Sequence, residues 1–189
     1  MSAVVFFGGK RKAAEAAEAD NYTFLFHRRT AQSPTAEHLL TGFANTDPAA
    51  WVYENELRTP YKYALYAVLD GTLVGYVVGT TYNRGNGCEV KYLEVSPAHQ
   101  RKGLCSMMLQ KFIERTGTRQ EYILKNAGGT FACMCYFKAF SADYDVYAVT
   151  NDGRVQPLTT KAECESEDLY DYRGPLAVLN YDMVFQKRS

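Results

Sequence analysis

Residues 89–114 read EVKYLEVSPAHQRKGLCSMMLQKFIE. A strand-like run from Glu89 to Val95 passes through Pro97 and the basic pair Arg101 and Lys102. It continues into a stretch whose apolar residues Leu104, Met108 and Phe112 recur every fourth position, joined by Met107, Leu109 and Ile113. That period predicts a helix over roughly 101–115. A plain strand-to-helix connection needs a turn residue and a cap. This one also places Gly103 at the helix start with two cations beside it. The first N–H groups of a helix have no intrahelical acceptor, and the helix dipole adds positive charge there. A glycine lets an anion approach that backbone closely. The segment is therefore a candidate phosphate cradle. One charge at a helix end contributes roughly 1 kcal/mol, whereas micromolar affinity requires about 8 kcal/mol. A ligand held here must also bond several amides and fill a cleft. The same residues equally fit an ordinary turn with solvated cations, and the loop alone does not separate the two readings.

Two familiar phosphate motifs are excluded. No Lys-Ser/Thr follows the glycine, so this is not a P-loop, and a strand in a hairpin series with few glycines is not a dinucleotide fingerprint. The surrounding chain sets further bounds. Its 189 residues are 47% apolar and carry zero formal net charge. That is one domain, residues 1–189, with a core large enough to need no metal or cross-link, and with no charge bias toward nucleic acid. Five cysteines, Cys88, Cys105, Cys133, Cys135 and Cys164, are scattered and odd in number, without a Cys-x-x-Cys. They read as free thiols in a reducing compartment, and Cys133 and Cys135 as small apolar packing, with no metal expected. No run approaches the ~18 apolar residues of a membrane helix. The opening MSAVVFF precedes its cations, the reverse of a signal peptide. A cytoplasmic protein without membrane contact is the expectation.

Outward from the loop, the elements fall into a mixed order. Residues 1–20 read as an N-terminal arm or an extra helix, with alanine-rich 11–20 helix-prone. Residues 21–30 alternate as a strand, and 33–44 and 47–59 read as helices with Pro34 and Pro48 at their starts. Asp70-Gly71, between two β-rich runs in 61–83, is the strongest hairpin signal, and 88–95 is the third strand of that series. A strand at 121–128, a short helix at 131–140 and strands at 143–152 and 176–188 follow, the last two separated by an irregular acidic segment, 161–175. This order predicts an α/β (α+β) fold: a mixed, mainly antiparallel sheet of six to seven strands with helices on both faces.

The stretch LEVSPAHQRKGLCSMML resembles the acyl-coenzyme A signature of the GNAT superfamily of N-acetyltransferases. Its Gln/Arg-x-x-Gly-x-Gly/Ala pattern is met by Gln100 and Gly103, with Cys105 where the family has glycine or alanine. The element order is similar to that family's over about residues 22–188. The resemblance implies acetyl-CoA as cosubstrate, its pyrophosphate on amides of Arg101, Lys102, Gly103, Leu104, Cys105 and Ser106, and its pantetheine arm along the main chain of Leu93 and Val95. It also implies a role for Asn126 at the end of the fifth strand. Acetyl transfer to an amine needs a base for the amine and an acid for the departing thiolate.

Glu89 falls where some family members carry a glutamate base. Glu94, by strand alternation on the opposite face, is a second candidate. As a structural residue, Glu89 would pair with Lys91 or a neighbouring strand. The family's tyrosine acid falls, counting from Lys138, on Phe137, with Tyr136 one residue earlier and about 100° round the helix. Tyr136 is the candidate acid, and a core position is its alternative. The acceptor implied is a small-molecule amine or a lysine side chain. Glu163, Glu165, Glu167, Asp168 and Asp171, interleaved with Tyr170 and Tyr172, would favour a cationic one. The competing reading is an acyl-CoA-binding sensor or interaction module on the same fold, with weak or no turnover. Monomer and homodimer both fit the composition.

Overall fold

The computed structural model describes residues 22–28, 62–125, 130–150, 152–165, 170–171, 178–179 and 181–189. The expected arm at 1–20 and the helices at 33–44 and 47–59 lie outside them. The described strands are β1 (Thr23–Arg28), β2 (Tyr63–Leu69), β3 (Thr72–Tyr82), β4 (Gly87–Val95), β5 (Glu121–Leu124), β6 (Tyr144–Thr150), β7 (Val155–Leu158), β8 (Tyr170–Asp171), β9 (Val178–Leu179) and β10 (Tyr181–Lys187). Two α-helices are described, α1 (Leu104–Thr116) and α2 (Thr130–Phe140).

Eight strands form one sheet in the order β1-β2-β3-β4-β5-β10-β6-β7, with β8 and β9 as a separate pair. All sheet neighbours are antiparallel except β4 and β5, which run parallel. The mixed, mainly antiparallel α/β architecture is as expected, with one strand more than the upper count. The addition is β7, whose Pro157 argues against a strand. At the sheet's edge, where β7 lies, a missing N–H donor costs no ladder bond. The Asp70-Gly71 turn closes β2 on β3 in the expected place, both residues having positive φ (50° and 75°) as a two-residue hairpin turn requires.

Helix α1 lies on the sheet face that carries Tyr63, Leu65, Ala67, Val77 and Val90, and contributes Leu104, Met108, Leu109 and Phe112 to the same buried cluster. Each such side chain stabilises the fold by roughly 1.5–3 kcal/mol. The approach is close at Gly79: a Cβ there would lie 2.7 Å from the Glu89 carbonyl oxygen and 2.9 Å from Cζ of Phe112. Helix α2 packs beside α1 in this cluster. Its Phe140 stacks on Phe185 of β10 at 4.0 Å and meets Tyr144 of β6 edge-on at 5.5 Å. Both described α-helices thus sit on one face. Arg119, just past α1, donates to the carbonyls of Gly85 and Thr116 and to the Tyr63 hydroxyl, which anchors the chain's return into β5.

The expectation of free thiols is overturned. Cys105 of α1 is joined to Cys135 of α2, and Cys133 of α2 to Cys164, with Cα–Cα distances of 6.1 and 5.7 Å. Positions two apart on a helix point to nearly opposite sides, so Cys133 and Cys135 reach different partners instead of packing together. Cys88 remains a buried thiol. Sequence separations of 30 and 31 residues correspond to about 3–4 kcal/mol of stabilisation per bond on the chain-entropy model. The inference of a reducing compartment rested on free thiols and loses that support.

Gly79→Ala is expected to destabilise the domain by about 1–3 kcal/mol, because backbone and the Phe112 ring must both give way. Urea unfolding followed by far-UV circular dichroism checks this, and a loss below a few tenths of a kcal/mol would contradict the close helix–sheet approach.

Candidate active site

The parallel pairing of β4 and β5 lasts four residues, from Gly87↔Glu121 to Val90↔Leu124. There β5 ends while β4 runs on to Val95, paired beyond Val90 with β3 alone among the described residues. Ser96 donates its amide across to the Val74 carbonyl at 2.9 Å. Main-chain directions alternate along a strand, so the amides and carbonyls of Leu93 and Val95 turn the other way, into the opening left by β5. The Val95 carbonyl accepts from the Gln100 side chain at 3.0 Å. Gln100 thus ties the loop's far end to the strand it leaves.

The loop itself winds through a short 3₁₀ turn, Pro97–His99, whose histidine meets the Tyr22 hydroxyl at 3.1 Å. Arg101 and Gly103 then both adopt left-handed backbone, φ 63° and 83°. Left-handed backbone in a non-glycine residue is uncommon, and alternating handedness turns successive amides into a concave anion nest. The first helical bond of α1 is Met107 N–H to the Gly103 carbonyl, so the amides of Leu104, Cys105 and Ser106 precede it without an intrahelical acceptor. The Ser106 hydroxyl donates to the Gly103 carbonyl at 3.0 Å and steadies the first turn. A Cβ on Gly103 would meet nothing within 4 Å. Glycine is required there by its backbone angle, and the surrounding space is open. Gln100 to Ser106 thus adjoin the Leu93–Val95 main chain at one end of the opening.

The two carboxylates are arranged differently from the expectation. The β3–β4 register slips between Val78 and Gly79, where Tyr92 and Val90 face consecutive partners and Lys91 bulges out. The inserted residue cancels the alternation that would separate Glu89 from Glu94. Glu89 pairs with Thr80 and Glu94 with Tyr76, so both lie on the face opposite α1. Lys91 reaches back to Glu89 at 2.7 Å, and the buried Tyr76 hydroxyl donates to Glu94 at 2.9 Å. Burial first, then the Glu94 charge, pushes the Tyr76 phenol far up, so it stays a proton donor.

Tyr136 is buried among the core residues of α2, its ring 6.4 Å from Phe185 of β10. Burial pushes its phenol well up. Phe137 points elsewhere, lining a groove of about 330 Å³ with Ser141, Tyr147 and Leu158. Asn126, Glu167, Asp168 and Tyr172 lie outside the described residues, and Tyr170 and Asp171 form β8. Glu163 accepts from the amides of Thr159 and Thr160, which lower its carboxyl pKa, so it ties down the start of a 3₁₀ turn. Glu165 is exposed. The described residues hold no His/Cys/Asp/Glu grouping suited to a metal, and no helix among them is long and apolar enough to cross a membrane.

Residues 25–129, more than half of the chain, match the model of the acetyltransferase (GNAT) family. The chain belongs to the GNAT acetyltransferase family. The fold agrees with that membership. The structure is similar to GCN5 of Tetrahymena, with a TM-score of 0.50 at 14% identity over 87% of this chain and 96% of that one. It is also similar to an acetyltransferase of Bacillus subtilis solved with CoA, with a TM-score of 0.50 at 11% identity over 88% of this chain and 100% of the other. By sequence alone, no curated protein matches this chain.

Within this GNAT sheet, sequence reading misses Lys91 as the bulge, Tyr76 as the partner of Glu94 and Cys135 as the partner of Cys105. The local sign of the bulge is Gly79, a glycine inside a strand, which often marks such an irregularity. Nothing near Tyr76 or Cys135 announces a partner that comes from another element. Gly103→Ala is expected to cost about 1–2 kcal/mol through its left-handed backbone alone, and Gly103→Asn less, since asparagine visits that region. Comparing the unfolding midpoints of the two variants checks the assignment; equal stability to wild type in both would mean the loop is not held left-handed.

Proposed function

We propose that this protein is an acetyl-CoA-dependent N-acetyltransferase that moves an acetyl group directly to a primary amine. The observation that carries the reading is the juxtaposition of two features. The main chain of Leu93 and Val95 faces the β4–β5 opening, and the left-handed Arg101–Gly103 turn starts α1 at its end. An extended amide-bearing arm can add to β4 as a strand would, and a pyrophosphate suits the amides of Arg101 to Ser106 beside two cations. Acetyl-CoA has both parts, and its thioester supplies an activated acyl carbon.

Glu89 is the proposed base. It takes a proton from the acceptor ammonium, directly or through a water, and the free amine attacks the thioester carbonyl carbon. Collapse of the tetrahedral adduct breaks the C–S bond, and Tyr136 is the proposed donor of a proton to the departing thiolate. A raised phenol pKa suits a group that must be protonated before it acts. The acceptor proposed is a cationic amine, either a small polyamine-like molecule or a lysine side chain, because the carboxylates of Glu89 and Glu94 share the face opposite α1. One observation favours the second reading, a GNAT-fold protein that binds acyl-CoA without turnover: Glu89 is ion-paired to Lys91 and Tyr136 is enclosed in the core.

Acetyl-CoA is expected to raise the melting temperature of the wild type. Gly103→Asp is expected to abolish the shift, and an undiminished shift in that variant would remove the loop from the binding site. Glu89→Gln is expected to lower the rate of coenzyme A release with an amine panel by roughly 10²–10⁴-fold while the dissociation constant for acetyl-CoA stays within a factor of two. Full turnover in Glu89→Gln would exclude it as base. Tight binding with no release for any amine would establish the second reading.

A further inference from the structure

We propose that the Cys105–Cys135 disulfide is a thiol-exchange site, through which small thiols of the glutathione class set the affinity for acetyl-CoA. This rests on the reading of the α1 start as the pyrophosphate cradle. Cys105 is the second residue of α1, inside the run of amides that precede the first helical bond. Its partner Cys135 lies mid-way along α2, so the bond fastens the cradle to the neighbouring helix.

The two disulfides of α2 differ in access. Cys105 and Cys135 are both half-buried. Cys133 and Cys164 are each 0% exposed. An attacking thiolate must reach a sulfur along the S–S axis, so the first bond is open to exchange and the second is sealed until the fold opens. Cys88 stays out of the exchange: burial pushes its thiol up to about 12, where it is neither a thiolate nor reachable.

Exchange proceeds in two steps. A small thiol loses its proton to solvent, and its sulfur attacks Sγ of Cys135. The Cys105–Cys135 bond breaks and a mixed disulfide forms on Cys135, with the electron pair leaving on Sγ of Cys105. A second small thiolate attacks the small-molecule sulfur of that mixed disulfide. Cys135 leaves with the electron pair and takes a proton, and the small thiols end as their own disulfide. Two electrons have passed from the two small thiols to the protein. The direction of the first break follows from position. A sulfur at a helix N-terminus beside Arg101 and Lys102 is the better-stabilised thiolate and hence the better leaving group.

The consequence is electrostatic and mechanical together. In the oxidised protein the sulfur of Cys105 is neutral and the first turn of α1 is fastened to α2. In the reduced protein the fastening is gone, and a Cys105 thiolate occupies the same amides and dipole that a pyrophosphate would use. Both changes act in one direction: reduction weakens cosubstrate binding and oxidation restores it.

The test uses the full chain in glutathione buffers of varied reduced-to-oxidised ratio. Native alkylation with peptide mapping reports which cysteines open, and calorimetry reports the dissociation constant for acetyl-CoA. Alkylation confined to Cys105 and Cys135 is expected, with Cys133 and Cys164 modified only after denaturation. The dissociation constant is expected to rise roughly two- to thirtyfold on reduction, the range one charge at a helix end produces. Cys105→Ala is expected to bind acetyl-CoA at an affinity indifferent to the buffer, and Cys133→Ala/Cys164→Ala to keep the response. A dissociation constant that does not move with redox ratio overturns the proposal while leaving the acetyl-CoA reading intact. So does a response that persists in Cys105→Ala, or alkylation of Cys133 and Cys164 ahead of Cys105 and Cys135. Absence of acetyl-CoA binding in both redox states overturns the cradle reading and this proposal with it.

Discussion

The site depends on one interruption: the parallel ladder between β4 and β5 stops at Val90↔Leu124 while β4 continues to Val95. In a sheet carried on without a break, the main chain of Leu93 and Val95 would be consumed by a neighbouring strand. Here, among the described residues, no strand pairs with it beyond Val90 except β3, and amides at an interrupted ladder suit a ligand that can bond them. The opening is held by its two sides. On one side β4 is fixed by β3 through the Ser96–Val74 bond, and on the other β5 is fixed by β10 and by Tyr122, whose hydroxyl bonds to Thr116 and Gly117 at the end of α1.

The bulge at Lys91 is the second consequence of how β4 is held. One additional residue reverses the alternation, so the strand shows carboxylates at 89 and 94 to the same side while still burying Cys88, Val90 and Val95 toward α1. A regular strand could not do both. The irregularity is supported from above by α1, since Gly79 lets Phe112 and the Glu89 carbonyl come close together. The packing that stabilises the domain therefore also fixes which side chains of β4 lie on the face opposite α1.

Helix α2 joins the site to the rest of the core. It is fastened by one disulfide to the first turn of α1 and by the other to the 3₁₀ turn at Lys161–Glu165. Further along α2, past both cysteines, Tyr136 and Phe140 pack on Phe185. With net domain stability typically about 5–15 kcal/mol, two cross-links of about 3–4 kcal/mol each are a large share of it. The bond between α1 and α2 joins two half-buried residues, whereas Cys133 and Cys164 are fully enclosed.

The sequence by itself determined what is local. The Asp70-Gly71 hairpin, the four-residue apolar repeat of α1 and the position of Gly103 at its start depend on backbone angles and side-chain period, which neighbouring residues dictate. These sufficed for the mixed architecture and for the loop from Gln100 to Ser106. Only the tertiary structure decided what depends on elements distant in the chain. Pro157 could join a strand because β7 came to lie at an edge. Glu94 shares a face with Glu89 because the β3–β4 register slips beneath Phe112. The cysteines are paired because α1, α2 and the turn at Cys164 converge, and a spacing of some thirty residues carries no sign of that convergence. Side-chain period records which face an element will bury, but the partner on that face is chosen by the packing of the whole chain.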